Sequence, residues 1–83
     1  MTRKKLYSIS EAAELSGLSI KRVRRYADAN LLPGVIKIQH GDRFYRHFTD
    51  RDVDMLKLIK KYRDQGYYLM PAVNLAKQEL SGK

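Results

Sequence analysis

The 83 residues include neither cysteine nor tryptophan. Without thiols there is no disulfide framework, no zinc–thiolate cluster and no cysteine nucleophile, and nothing points to an oxidising compartment. No run reaches the roughly 18 apolar residues that a bilayer span requires, so the expected location is the cytoplasm. Arg3-Lys4-Lys5 lead into a helix cap rather than into a stretch of about 7 to 15 apolar residues, so they do not open a signal peptide. Repeats, low-complexity tracts and linkers are absent as well. A chain this short buries roughly 60% of the surface exposed by its unfolded form, which leaves one thin core and no deep catalytic cleft. A single domain over residues 1–83 is expected.

Acid is scarce: 17 Lys plus Arg stand against 9 Asp plus Glu, a formal charge of +8. The excess is uneven. Residues 1–48 hold ten basic and four acidic side chains, while residues 49–83 hold seven and five. A positive field concentrated on one half of a small domain points to a polyanion, with nucleic acid ahead of a membrane surface.

Ser8 followed by Glu11 reads as a capping box, and Ile9, Ala12, Ala13 and Leu15 share a helical face, so a first helix is expected from Ile9 to Ser16. Gly17 suits the left-handed position that ends a helix, Leu18 packs back, and Ser19 caps the next one. That second helix is predicted from Ile20 to Ala29, with Ile20, Val23, Tyr26 and Ala27 facing inward and Asn30 as its stop. At 3.6 residues per turn the inward stripe leaves Lys21, Arg22 and Arg25 together on the opposite side. Two helices joined by so short a turn, the second loaded with cations, have the outline of a helix-turn-helix over residues 8–30.

After Pro33-Gly34 the period changes. Strands from Ile36 to Gln39 and from Arg43 to His47, joined by a turn at His40-Gly41-Asp42, make a β-hairpin that carries Lys37, Arg43 and Arg46. Placed directly after a helix-turn-helix, a basic hairpin over residues 35–48 is a wing able to reach phosphates beside the groove that the helix enters. Thr49 caps a third helix of about 14 residues, with Asp50, Asp52 and Asp54 in its first turns and Gly66 past its end. Its inward positions are Val53, Leu56 and Ile59. Most of Lys57, Lys60, Lys61 and Arg63 read as a solvated face. A fourth helix of about ten residues, with Pro71 in its first turn, sets Leu69, Val73, Ala76 and Leu80 toward the core. The fold class is therefore mainly α, a winged helix-turn-helix of four helices and one hairpin, with the last two helices over residues 49–80.

Five segments in order resemble the DNA-binding domain of the MerR superfamily, between Tyr7 and about Ala76. They are Tyr7-Ser8-Ile9-Ser10-Glu11-Ala12-Ala13, the turn Gly17-Leu18-Ser19, Val23-Arg24-Arg25-Tyr26-Ala27 with Asn30-Leu31-Leu32-Pro33, the ungapped stretch Tyr45 to Val53, and Lys60 to Tyr68. The resemblance implies that the second helix enters the major groove and the wing lies on flanking backbone. Matched position by position, Arg24 and Tyr26 of the helix and Tyr45 and Arg46 of the wing would hold phosphates; Lys37 and Arg43, placed on the wing by the hairpin pattern, would add to them. Base reading would fall to Ser19, Lys21, Arg22 and Arg25, where Arg and Lys suit guanine O6 and N7. Arg25 replaces the first tyrosine of the family's pair, and Asn30 replaces its usual glycine. Two alternatives stand beside these roles: Tyr26 as a core ring, and Arg46 in an ion pair with an acid of the third helix.

The expected function is sequence-specific recognition of double-stranded DNA in transcriptional control. A second reading is an architectural or accessory role, as in phage excision or in chromosome or plasmid anchoring, with copies assembling cooperatively on DNA. The fourth helix offers one apolar stripe for the core, so self-association is expected only on DNA. Catalysis is not expected, because His40 and His47 ride on the wing, where no carboxylate and nucleophile converge. Asp50, Asp52 and Asp54 alternate around a helix start and do not form a metal site. No cofactor, membrane partner or small-molecule effector is expected within these residues.

Overall fold

The computed structural model describes residues 6–82, so Arg3, Lys4 and Lys5 lie outside the described residues. Four helices and one hairpin follow in chain order: α1 Ile9–Ser16, α2 Ile20–Asp28, β1 Ile36–His40, β2 Arg43–His47, α3 Asp50–Asp64 and α4 Leu69–Ser81. The capping box at the start of α1 forms in both directions, with Glu11 N donating to Ser8 Oγ at 3.1 Å and Ser8 N to Glu11 Oε1 at 3.0 Å. Gly17 ends the helix at φ +77, a conformation that costs a residue with a Cβ, and its N–H returns to Ala13 O. Ser19 Oγ then accepts from Arg22 N at 3.1 Å and opens α2. Asn30 adopts φ +59 past the end of α2, the left-handed stop expected from its short polar side chain.

β1 and β2 pair antiparallel from Ile36 opposite His47 to His40 opposite Arg43, around a turn at Gly41-Asp42. The hairpin is fastened to the helices at its base. Tyr7 and Phe48 exchange both backbone hydrogen bonds, at 2.7 and 2.8 Å, and the Phe48 ring is fully buried. α3 packs along α4 and against α1, and α1 packs on α2. Val23, Phe48, Leu56, Ile59, Val73 and Ala76 lie at the centre of the resulting core.

Several expectations are corrected. Leu15 and Ile20, assigned to inward stripes, remain 48% and 41% exposed. A periodic stripe fixes a direction around the helix, but burial also needs a neighbour in that direction. Ser16 is buried in their place, its hydroxyl donating to Ala13 O and accepting from Leu18 N. α2 stops at Asp28, one residue early, and β1 gains His40. α4 runs for 13 residues rather than about ten. Leu69 and Leu80 of its stripe are only partly buried, whereas Ala72, which was not assigned to the core, is fully buried.

Candidate nucleic-acid interface

The cationic face begins with the division of α2. Val23, Tyr26 and Ala27 are buried against the rest of the fold, and Lys21, Arg22, Arg24 and Arg25 are all exposed. A nine-residue helix thus turns four cations to solvent from the side that the core leaves free. Ser19 is exposed at its N-terminus, where the cap ties the hydroxyl to Arg22 N. Lys21, Arg22 and Arg25 therefore lie where the sequence placed them.

Arg24 faces the wing. It shares a groove of about 570 Å³ with Phe44, Tyr45, Arg46 and His47 of β2, and the first turn of α1 closes one side. Arg24, Tyr45 and Arg46, three residues assigned to phosphates, are thus brought together from two elements. Tyr45 is 46% exposed and meets the His40 ring edge-on at 5.6 Å between centroids. Lys37 and Arg43 are exposed on the hairpin. Tyr26 stands apart from this group, at 4% exposure and within the hydrophobic core. The expected phosphate ligand is first of all a core ring, because its position at spacing three from Val23 carries it under α2 rather than onto its open side.

Arg46 carries an ion pair, though with a different acid from the one anticipated. Its Nη2 donates to Oδ1 of Asp28 at 2.5 Å, at the end of α2 and not on α3. A third-helix acid was the nearer choice along the chain; the hairpin instead folds its base back onto α2.

A second basic cluster escaped the sequence reading. Lys60 and Arg63 of α3 border a shallow groove of about 320 Å³ with Ser19 and Arg22 of the helix-turn-helix. Lys60 passes so close to the turn that a Cβ on Gly17 would lie 3.1 Å from its Cε. Lys60 Nζ pairs with Asp64 at 2.7 Å, and Arg63 Nη1 donates to Tyr67 O at 3.0 Å. Their spacing of three on one helix was the available signal, but it does not reveal that α1 and its turn pack beside that face. Among the described residues, no group of three or more His, Cys, Asp or Glu side chains is placed to hold a metal ion, and no helix is long and apolar enough to cross a membrane.

A short-turn helix pair with a basic second helix and a basic hairpin beside it defines a winged helix-turn-helix protein. The chain belongs to the MerR helix-turn-helix family: residues 7–78 match the family described as MerR HTH family regulatory protein. It is 34% identical over 76 residues to the HTH-type transcriptional repressor CarH of Myxococcus xanthus, a match covering 92% of this chain and 24% of that protein. A probable heavy metal-dependent transcriptional regulator of Haemophilus influenzae is 36% identical over 62 residues, 75% of this chain and 46% of the relative. Among solved structures, HiNmlR, a MerR family regulator lacking the sensor domain and bound to promoter DNA, superposes with a TM-score of 0.70 at 31% identity. That match covers 94% of this chain and 57% of HiNmlR. The chain thus spans between about a quarter and a little over half the length of these relatives.

Proposed function

We propose that this domain recognises double-stranded DNA by sequence and serves transcriptional regulation. The observation that carries the reading is the two-sided α2, whose buried Val23, Tyr26 and Ala27 fix the helix while Lys21, Arg22, Arg24 and Arg25 stand free of the core. A B-form major groove admits a single α-helix, and a helix anchored through one side presents the other to base edges. Ser19, Lys21, Arg22 and Arg25 read bases. Arg24, Tyr45 and Arg46 hold phosphates from their common groove, Lys37 and Arg43 extend that contact along the wing, and Tyr26 adds at most its hydroxyl. Lys60 and Arg63 continue the positive surface past the turn, where backbone flanking the reading helix would lie. The relatives' names and the promoter-bound state of HiNmlR support the same assignment. Self-association, where it occurs, belongs to the DNA-bound state, and the domain works in the cytoplasm at the nucleoid.

Selection of bound sequences from random duplex DNA tests the proposal. A defined site should emerge, and Arg22→Ala should weaken it by about 1 to 3 kcal/mol while barely changing scrambled duplex, as expected of a base contact. Arg24→Ala should weaken both about equally. Recovery of unenriched sequences would refute sequence recognition.

A further inference from the structure

We propose that Asp28 competes with DNA phosphate for Arg46, so that the wing engages DNA by exchanging one anion for another. This rests on the phosphate-binding role given to Arg46 above. Asp28 is the last residue of α2, at the negative end of its dipole, where a carboxylate is poorly placed unless a cation is near. It is also the one acid in a helix that carries four cations. Arg46 supplies the cation, and it has its own reason to attract one carboxylate: the hairpin register sets it directly opposite Lys37, a like-charge pair on the same face.

The pairing is incomplete on the arginine side. Asp28 Oδ1 takes Nη2, whereas Nε, the other donor on the same edge of the guanidinium, is buried and has no hydrogen-bond partner among the described residues. Asp28 uses one oxygen here and leaves that edge half engaged, whereas a phosphate in its place can offer two oxygens to Nε and Nη2 together. Arg46 also lines the groove shared with Arg24, so a phosphate drawn in by Arg24 arrives beside the arginine that Asp28 holds. The pair is partly exposed, at 25% for the Arg46 side chain and 49% for Asp28. Exposed pairs shift an equilibrium by about fivefold or less, weak enough for phosphate to displace and strong enough to measure.

The experiment compares Asp28→Asn, Arg46→Gln and the double variant with the unmodified chain, by titrating a fluorescent duplex across a series of salt concentrations. Asp28→Asn should tighten binding by about three- to fivefold at low salt. On scrambled duplex, where the exchange is least complete, it should steepen the slope of log K against log salt by up to about 0.9. With Arg46→Gln already present, Asp28→Asn should change affinity by less than about twofold and leave the slope alone. An equal gain with and without Arg46 would show that Asp28 merely repels DNA, and no gain in either background would remove the competition; both results overturn the proposal. Asparagine keeps the shape of the side chain and removes the unfavourable charge at the helix end, so the fold should persist, with Asp28→Ser as a second variant read in the same way. Failure of the unmodified chain to bind any duplex would overturn the functional reading together with this one. Normal DNA binding with an inert Asp28→Asn would overturn this inference alone.

Discussion

Replacing Asp52 by alanine should remove a large part of the stability of this domain. The side chain is fully buried at the start of α3 and joins two segments, the loop at Gly34 and the capped start of the helix. Its Oδ1 accepts from Gly34 N at 2.7 Å, its Oδ2 accepts from Thr49 N at 2.8 Å, and its own N–H donates to Thr49 Oγ1 at 3.2 Å. Hydrogen bonds to a charged group contribute about 1.5 to 3 kcal/mol each, and the two amides deprived of an acceptor are only part-buried, so the loss should be about 3 to 5 kcal/mol. A domain of this length has roughly 4 to 12 kcal/mol in total. Asparagine keeps one acceptor oxygen and should lose about half as much. Gly34 makes the same junction intolerant from the other side, because a Cβ there would sit 2.9 Å from Thr49 Oγ1. Gly34 precedes β1, so the contact that stabilises α3 also fixes where the wing leaves the helices. Urea denaturation followed by far-UV circular dichroism gives the free energies, and duplex binding by the folded fraction of Asp52→Asn reports the wing. A loss below about 1 kcal/mol for alanine, or equal losses for the two variants, would refute the assignment of two charge-assisted bonds.

Binding to duplex DNA should weaken with salt at a slope of log K against log salt near −5 to −6, from about 0.9 per neutralised phosphate and roughly five to seven contributing cations on α2 and the wing. A slope shallower than about −2 would exclude this face as the contact surface. Free in solution at micromolar concentration, residues 1–83 should sediment as a monomer, since Val73 and Ala76 of the α4 stripe are fully buried within the fold. A stable dimer without DNA would mean that Leu69 and Leu80, which are only partly buried, open into an interface. Tyr62 donates to Glu79 Oε1 at 2.7 Å, and this bond, followed by burial and the nearby charges of Glu79 and Tyr67, holds its phenol above the ordinary tyrosine range. The native state favours the neutral phenol, so the contribution is complete below about pH 10 and is lost as pH rises through the raised native value. Ultraviolet titration of phenolate, minus the same curve for Tyr62→Phe, should show this tyrosine ionising after the bulk; an earlier ionisation would contradict it.

Local chemistry made most of this molecule legible from its residues. Ser8 with Glu11, Gly17, Ser19 and Asn30 each act within one turn of the chain, and each did what its side chain or its lack of one dictates. The same holds for the cations of α2, because facing away from a buried stripe follows from helical geometry alone. What the sequence concealed depends on which segments meet. Nothing in Asp52 beyond its capping position signals that Gly34, 18 residues earlier, will come within hydrogen-bonding distance. Nothing in a lysine-rich third helix separates Lys60 and Arg63, which border the helix-turn-helix, from an ordinary solvated face. For Tyr26 the sequence left two roles open, and the structure shows the core ring, since packing decides which of its atoms reach solvent.

The Asp28–Arg46 pair combines both kinds of information. Its consequence for function lies in how the domain is assembled. α2 is fixed by its buried side, and the wing base is fixed by the Tyr7–Phe48 bridge and by the Gly34–Asp52 tether. Between these anchors, one partly exposed ion pair links α2 to the wing among the described salt bridges. The groove lined by Arg24, Tyr45 and Arg46 therefore lies between two parts of the fold that are each anchored to the core. Asp28→Asn should therefore change affinity with little cost to folding, whereas Asp52→Asn should lower stability as well, and urea denaturation beside duplex titration of the two variants separates the effects.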